Sequence, residues 1–252
     1  MSFHILEIKF NFNGNEEAIY PTVIQSGKEI LLIDCGYEGF LPKLEEALSG
    51  VNLSFNELTG ILITHHDIDH MGGLFEIKAK YPHLKVWSSD LEAGYIDGSK
   101  KSLRLIQAED TYDQLPAAYK EGARYFIDQL KRMKAVPVDK VFRLNNEGEL
   151  LEGVEVIHTP GHMPGHISIY LKHSQTLIAA DAVVVENGEL EIANPQFTLD
   201  MPTALASVKK LERLAIDSLV CYHGGLFGRD ASAALLDLTK KYQATQVKAN
   251  TV

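Results

Sequence analysis

The chain has 252 residues, 45% of them hydrophobic and 23% charged, which suits a globular fold whose core needs no disulfide or structural-metal staple. Its formal net charge of -10 opposes phosphate backbones, so no nucleic-acid partner is expected, and no membrane partner either, because no run approaches the ~20 apolar residues that span a bilayer. Cys35 and Cys221 lie in apolar runs and read as buried free thiols; with no basic stretch leading into an apolar one near Met1, the expected location is cytoplasmic.

Phe3 to Phe12, Ala18 to Gln25 and Glu29 to Ile33 read as strands separated by Asn13-Gly14 and Ser26-Gly27 turns. Leu41 to Leu48 reads as a helix, Leu58 to Thr64 as a short buried strand, and His65 to Gly73 as the loop after it. Leu74 to Tyr81 continues as helix and Lys85 to Ser88 as strand. Residues 90–137 then lose the strand pattern and carry two helical stretches, the second marked by Tyr119, Ala123, Phe126, Ile127, Leu130 and Met133 at helical spacing. Such an insertion is either a packed surface helix pair or a cap over a site. Tyr95, Leu103, Ile106, Tyr112 and Phe126 are candidates for an apolar wall. Lys100, Lys101 and Arg104 read first as a solvated helix face and second as an anchor for an anionic group. After Pro137, strands return at Val154 to His158, Ser168 to Leu171 and Thr176 to Ala180, then a helix at Met201 to Leu214 and a strand at Asp217 to Tyr222. The expectation is a single domain over residues 1–252, with a helical cap insert at about 90–137.

The two ends of the chain echo each other. The strand EILLID ends at Asp34 and is followed by a helix and a strand reaching His65; TLIAAD ends at Asp181 and is followed by a helix and a strand reaching His223. Loops at strand ends are where α/β folds build sites, and two such halves face to face would bring these residues to one rim.

The run THHDIDHMGG, residues 64–73, offers His65, His66, Asp67, Asp69 and His70 within six positions. Imidazole nitrogen and carboxylate oxygen are donors that divalent zinc, iron and manganese accept. Alternate residues after a strand point the same way, so His65 and Asp67 can share one metal, while Asp69 and His70 can turn toward a second. Gly72-Gly73 lets the backbone pack close behind. HTPGHMPGHISIY, residues 158–170, presents His162 at a tight turn, with His166 on the next; Asp181 and His223 complete the set.

These separated motifs resemble the metallo-β-lactamase superfamily: a strand ending in His-x-His-x-Asp-His, a TPGH turn, a lone Asp after a strand and a late His, in that order over nearly the whole chain. The resemblance implies a four-layer αββα sandwich with two divalent metal ions at its rim, zinc first and iron or manganese as alternatives. It implies that His65, Asp67 and His162 hold the first metal, that Asp69, His70 and His223 hold the second, and that Asp181 bridges; Asp69 and Asp181 are the catalytic candidates. One position departs: Asp67 stands where the family has its second His. Flavodiiron relatives carry a carboxylate there, and the harder, charged donor favours iron or manganese. His66 is expected to point away from the metals, His166 to support the turn through its ring N–H, Asp34 to hold the site loops by hydrogen bonds, His158 to be an ordinary strand residue, and His4, His83 and His173 to lie at the surface.

Two cations about 3.5–4 Å apart would share a water and lower its pKa toward ~7, giving a bridging hydroxide for attack on a carbonyl or phosphorus centre. No Gly-x-Ser-x-Gly nucleophile motif competes. Glyoxalase II-type thioesterases carry a helical C-terminal domain, whereas 29 residues follow His223 here; acyl-homoserine lactonases place a Tyr soon after the bridging Asp, whereas Ala182, Val183 and Val184 follow Asp181. Tyr95 or Tyr112 of the insert is a candidate replacement. A small-molecule ester, lactone or thioester is the expected substrate. The alternative is a non-hydrolytic diiron protein that binds, senses or reduces oxygen. Oligomeric state is not legible.

Overall fold

The computed structural model describes residues 1–12, 14–144 and 149–249, with side chains through residue 244. Asn13 of the expected turn and residues 250–252 of the expected domain lie outside the described residues. Strands β1 (Ser2–Ile5), β2 (Ile8–Phe12), β3 (Asn15–Ile19), β4 (Thr22–Ser26) and β5 (Glu29–Ile33) open the chain. Two strands expected to be continuous are each broken in two. The breaks face one another at Leu6-Glu7 and Tyr20-Pro21, where Leu6 N donates to the Pro21 carbonyl at 2.8 Å. Pro21 has no N–H to give a ladder. β1 and β4 therefore stay in the main sheet, and β2 and β3 leave it as a separate hairpin.

Helix α1 (Leu41–Gly50), strand β6 (Gly60–Leu62), helices α2 (Ile68–Met71) and α3 (Leu74–Lys80) and strand β7 (Lys85–Ser89) follow. Residues 90–137 hold three helices where two were expected: α4 (Ala93–Ile96), α5 (Leu103–Tyr112) and α6 (Ala117–Arg132). α6 buries Ile127 and Leu130, but Tyr119, expected on the same stripe, is exposed. Strand β8 (Lys140–Phe142) then closes the first six-stranded sheet, in the order β1-β4-β5-β6-β7-β8.

The second half supplies β9 (Glu149–Leu151), β10 (Val154–His158), β11 (Ile167–Leu171), β12 (Thr176–Ala180), the ribbon β13 (Val184–Glu186) and β14 (Glu189–Glu191), α7 (Met201–Leu211), β15 (Ser218–Cys221), β16 (Gly225–Phe227) and α8 (Ala231–Ala249). The second six-stranded sheet runs β16-β15-β12-β11-β10-β9. α7 starts where it does because Asp200 accepts from Thr203 N at 3.0 Å and a proline occupies its first turn.

Alternation along the strands builds the layers. Leu31 and Ile33 of β5, Leu62 and Trp87 meet Ile167, Ile169, Leu171, Ile178 and Val220 between the sheets. Leu32, Ile61 and Ile63 face outward onto Leu44 and Leu48 of α1 and Leu74 and Ile77 of α3. Leu177, Ala179 and Leu219 face Leu205, Val208 and Leu211 of α7 and Leu235 and Leu238 of α8. Each such aliphatic side chain contributes roughly 1.5–3 kcal/mol by leaving water, and together the three cores make a four-layer αββα sandwich. Among the described residues no helix is long and apolar enough to cross a membrane.

The sequence echo is a structural one. β5 and β6 pair in parallel around α1, and β12 and β15 pair in parallel around α7. The chain leaves β5 through Asp34 at φ 60 and ends β12 with Ala180 at φ 48. Left-handed backbone at a residue with a Cβ costs of order 1–3 kcal/mol and is tolerated where surrounding structure fixes it. Here it turns Asp34 inward behind the β6 loop and brings Asp181 out at the end of its strand.

Candidate metal centre

The loop after β6 must bend sharply to present several polar side chains together, and it does so against bare backbone. A Cβ on Gly72 would lie 2.3 Å from the Ile68 carbonyl oxygen, and one on Gly73 would lie 2.6 Å from that of Cys35. Gly161 plays the same part beneath His162: at φ 133, its Cβ would fall 2.2 Å from the backbone nitrogen of Ala204 in α7. His223 is fixed by a bridge to Ile19 and by its carbonyl accepting from Val185 N at 3.0 Å.

The structure brings together His65, Asp67, Asp69, His70, His162, Asp181 and His223. Three overlapping groups have donor atoms within 4.8 Å of one another: His65, Asp67 and His162; His65, His70 and Asp181; and Asp69, His70 and His223. Nε2 of His65 is 3.4 Å from Oδ2 of Asp67, which is 2.9 Å from Nε2 of His162. Nε2 of His223 is 3.1 Å from Oδ2 of Asp69. Asp181 lies between the groups, its Oδ1 3.3 Å from His70 Nε2 and its Oδ2 3.6 Å from His162 Nε2 and 3.7 Å from His223 Nε2.

The donors fit divalent cation binding. Nε2 of His65, Nε2 of His70 and Oδ1 of Asp181 are buried and have no hydrogen-bond partner; left bare, such atoms are costly. Burial and the neighbouring His70 push the His65 imidazole down to about 3, leaving it neutral with a free lone pair. Burial opposes the charge on Asp181, yet His70 and His223 hold its carboxyl well below the usual range. Burial likewise opposes a charge on His70, but Asp181, Asp34 and Asp69 raise it well above an ordinary histidine. This alternation of neutral imidazole, carboxylate and charged imidazole is an arrangement that cations would replace.

The supporting residues behave as their positions suggested. Asp34 accepts from Thr64 N at 2.8 Å and Thr64 Oγ1 at 2.7 Å and meets Nδ1 of His70 at 2.8 Å. His166 is buried and held neutral by burial. Its Nε2 accepts from Asp181 N at 3.0 Å, so its Nδ1 carries the hydrogen and donates toward Thr159. His66 turns away from the cluster; its ring stacks on Tyr95 at 4.2 Å and its Nδ1 pairs with Glu92. Tyr112 is taken up by Arg124 at 3.1 Å.

Several contributors escaped the sequence reading. Arg104 is not on a solvated face, as expected, but 2% exposed, with its guanidinium forked onto Asp67: Nε to Oδ1 at 2.9 Å and Nη2 to Oδ2 at 2.6 Å. Lys100 and Lys101 do remain exposed. Glu92 is fully buried and joins two loops, with Oε2 accepting from His66 N at 2.9 Å and Oε1 from Gly165 N at 3.0 Å. Tyr222 donates to the Asp69 carbonyl at 2.7 Å and accepts from Gly36 N at 3.2 Å. Burial and the carboxylates of Asp69, Asp181 and Asp67 push the phenol of Tyr37 up. The signals were thin: Tyr222 adjoins His223, but nothing in the sequence marks Glu92 or Tyr37.

Known proteins are similar to this chain in sequence or fold. A probable metallo-hydrolase of Bacillus subtilis, YflN, is 27% identical over 197 residues, 73% of this chain and 72% of that one. The hydroxyacylglutathione hydrolase GloC of Haemophilus influenzae is 26% identical over 165 residues, 64% of each chain. The FEZ-1 metallo-beta-lactamase of Legionella gormanii superposes with a TM-score of 0.66 at 17% identity, covering 99% of this chain and 94% of its own, a likeness of fold. The family model of the metallo-beta-lactamase superfamily matches residues 14–223, a span that reaches from the first hairpin to the last histidine of the cluster. With the sandwich, the donor cluster and this match in agreement, the chain belongs to the metallo-beta-lactamase superfamily.

Proposed function

We propose that this metal-dependent hydrolase holds two divalent cations and cleaves a small ester, lactone or thioester. The observation that carries the reading is the place of Asp181, whose two oxygens face donors of both groups. His65, Asp67 and His162 would hold one cation, Asp69, His70 and His223 the other. Bound there, the cations would supply Lewis acidity and an activated water. Asp69 stands at the partly exposed edge of the cluster beside His223, where its carboxylate can take a proton from an entering water. His166 and Asp34 keep Asp181 and His70 in their orientations. GloC is named for hydroxyacylglutathione, which returns thioesters of that kind to the substrates worth testing.

Helices α5 and α6 are proposed as a cap over the site. Phe126 of α6 meets Phe197 at 6.1 Å, and Gln107 of α5 donates to the Gln196 carbonyl at 3.2 Å, so the insert closes onto the segment before α7. The rival diiron reading drew on Asp67 as a harder donor that also adds negative charge. Arg104 cancels the charge, which leaves the hardness of the oxygen as the reason to prefer iron.

The test is metal analysis of purified, reconstituted protein followed by an ester, lactone and thioester panel. Close to two cations per chain and turnover lost on chelation and restored by zinc are expected. A coloured protein with two irons that cleaves none of these substrates would establish the rival.

A further inference from the structure

We infer that Arg104 is a built-in counter-ion for one of the two cation positions, so that the position framed by His65, Asp67 and His162 fills later and more weakly than the one framed by Asp69, His70 and His223. The inference rests on the two-cation reading above and says how the two positions differ.

The fork from Arg104 engages both oxygens of Asp67, at 2.9 and 2.6 Å. Two parallel N–H···O bonds to a carboxylate are a strong and rigid pairing. Nη2 of Arg104 also stands 3.3 Å from Nε2 of His162. A positive charge is thus already in contact with two of the three donors that would frame the first cation. Arg104 is held there by more than Asp67. Its Nη1 donates to Gln107 Oε1 at 2.5 Å, its guanidinium lies 5.3 Å from the ring centroid of Phe197, and the neighbouring Leu103 N donates to Nε2 of His66 at 3.2 Å.

The second position has no such occupant. Among the described residues, no lysine or arginine pairs with Asp69 or Asp181, whose ionic neighbours are His70, His162 and His223. A cation arriving there meets two carboxylates whose partners are histidines, which give up their protons to bind it, and no permanent counter-charge. At the first position it meets Asp67 already neutralised, and shares Asp181. Loading is weakened rather than blocked, because each carboxylate oxygen has a second lone pair that the fork leaves open. The pair of Asp67 and Arg104 is electrically equivalent to the neutral imidazole that the His-x-His-x-Asp-His pattern would put at 67. Arg104 is therefore a positioning residue: it orients Asp67 and sets the charge at the first position, and it carries that control from the insert.

The test uses the full chain stripped by chelation and titrated with zinc against a chromophoric chelator, with stoichiometry from elemental analysis. The wild type should bind zinc in two unequal steps, the weaker by about tenfold or more. Arg104→Gln keeps a hydrogen-bond donor against Asp67 but removes the charge; it should tighten the weaker step about tenfold while the tighter step stays where it is. Arg104→Lys keeps the charge without the fork and should give a smaller gain. It carries the test if the glutamine variant does not fold. Two equal steps in the wild type, or a weaker step unmoved in either folded variant, would overturn the inference. One zinc in the wild type and two in Arg104→Gln would support it; one in all three would sink it together with the two-cation reading. Absence of activity on every substrate with these constants as expected would overturn only the proposed reaction.

Discussion

Oδ2 of Asp34 lies 2.8 Å from Nδ1 of His70, and this contact decides which ring nitrogen of His70 faces the cluster. The same carboxylate takes both the N–H and the hydroxyl of Thr64. Asp34→Asn has one acceptor oxygen where three donors converge, so its NH₂ must face a donor. Cation affinity should fall about 10–100-fold while the chain still folds. Isothermal titration with zinc checks this; unchanged affinity would mean that His70 is oriented by its contact with Tyr222, 4.0 Å away ring to ring.

Asp181→Asn should cost at least about a hundredfold in turnover, together with part of the bound metal. An amide oxygen carries no charge to hold two cations at once. Full metal content with wild-type turnover in this variant would remove Asp181 from the centre.

Asp67→His should move cation preference toward zinc and away from manganese, because a nitrogen donor replaces a hard oxygen. The substitution also strands the buried Arg104 without its partner, at a cost of about 3–5 kcal/mol. The double variant Asp67→His with Arg104→Met should recover most of that loss, a non-additivity visible in thermal unfolding. Unfolding midpoints that simply add would show that the two side chains are not coupled.

Glu92→Gln should loosen the two loops that carry His65 and His162 by about 1–3 kcal/mol. One oxygen of Glu92 serves His66 and the other serves Gly165; a glutamine must turn its NH₂ against one of those N–H groups. Hydrogen exchange at Gly165 and around His66 should quicken in this variant, and protection equal to wild type would argue that packing alone joins the loops.

What was legible in the sequence follows from where the cause lies. His65, Asp67, Asp69 and His70 crowd into one short loop, and no ordinary surface or core requires that crowding, so local composition announced the site. The parallel pairs β5 with β6 and β12 with β15 showed as buried runs, each ending in a polar residue. Arg104 could not be read this way. Seen from its neighbours it belongs with Lys100 and Lys101, and only Asp67, far off in sequence, makes its burial favourable. Glu92 is the same case. The split of the first strands had one local sign, Pro21, but the facing break at Leu6-Glu7 depends on how the two strands pair. The helix of the insert that was not expected, α4, is a single turn whose capping the pattern does not mark.

The two β-α-β echoes have a consequence for how the chain matures. His65, Asp67, Asp69 and His70 hang from the first sheet, and His162, Asp181 and His223 from the second. Either sheet alone offers an incomplete and open set of donors. The rim exists only after the sheets have docked through Leu31, Ile33 and Leu62 against Ile169, Ile178 and Val220, contacts of long sequence separation that form slowly. On the proposed two-cation reading, cation capture would be a late event of assembly and would tie the halves together, since a ligand that binds only the folded state stabilises it. A nascent or nicked chain with one half undocked would let its cations go while each sheet still held its strands.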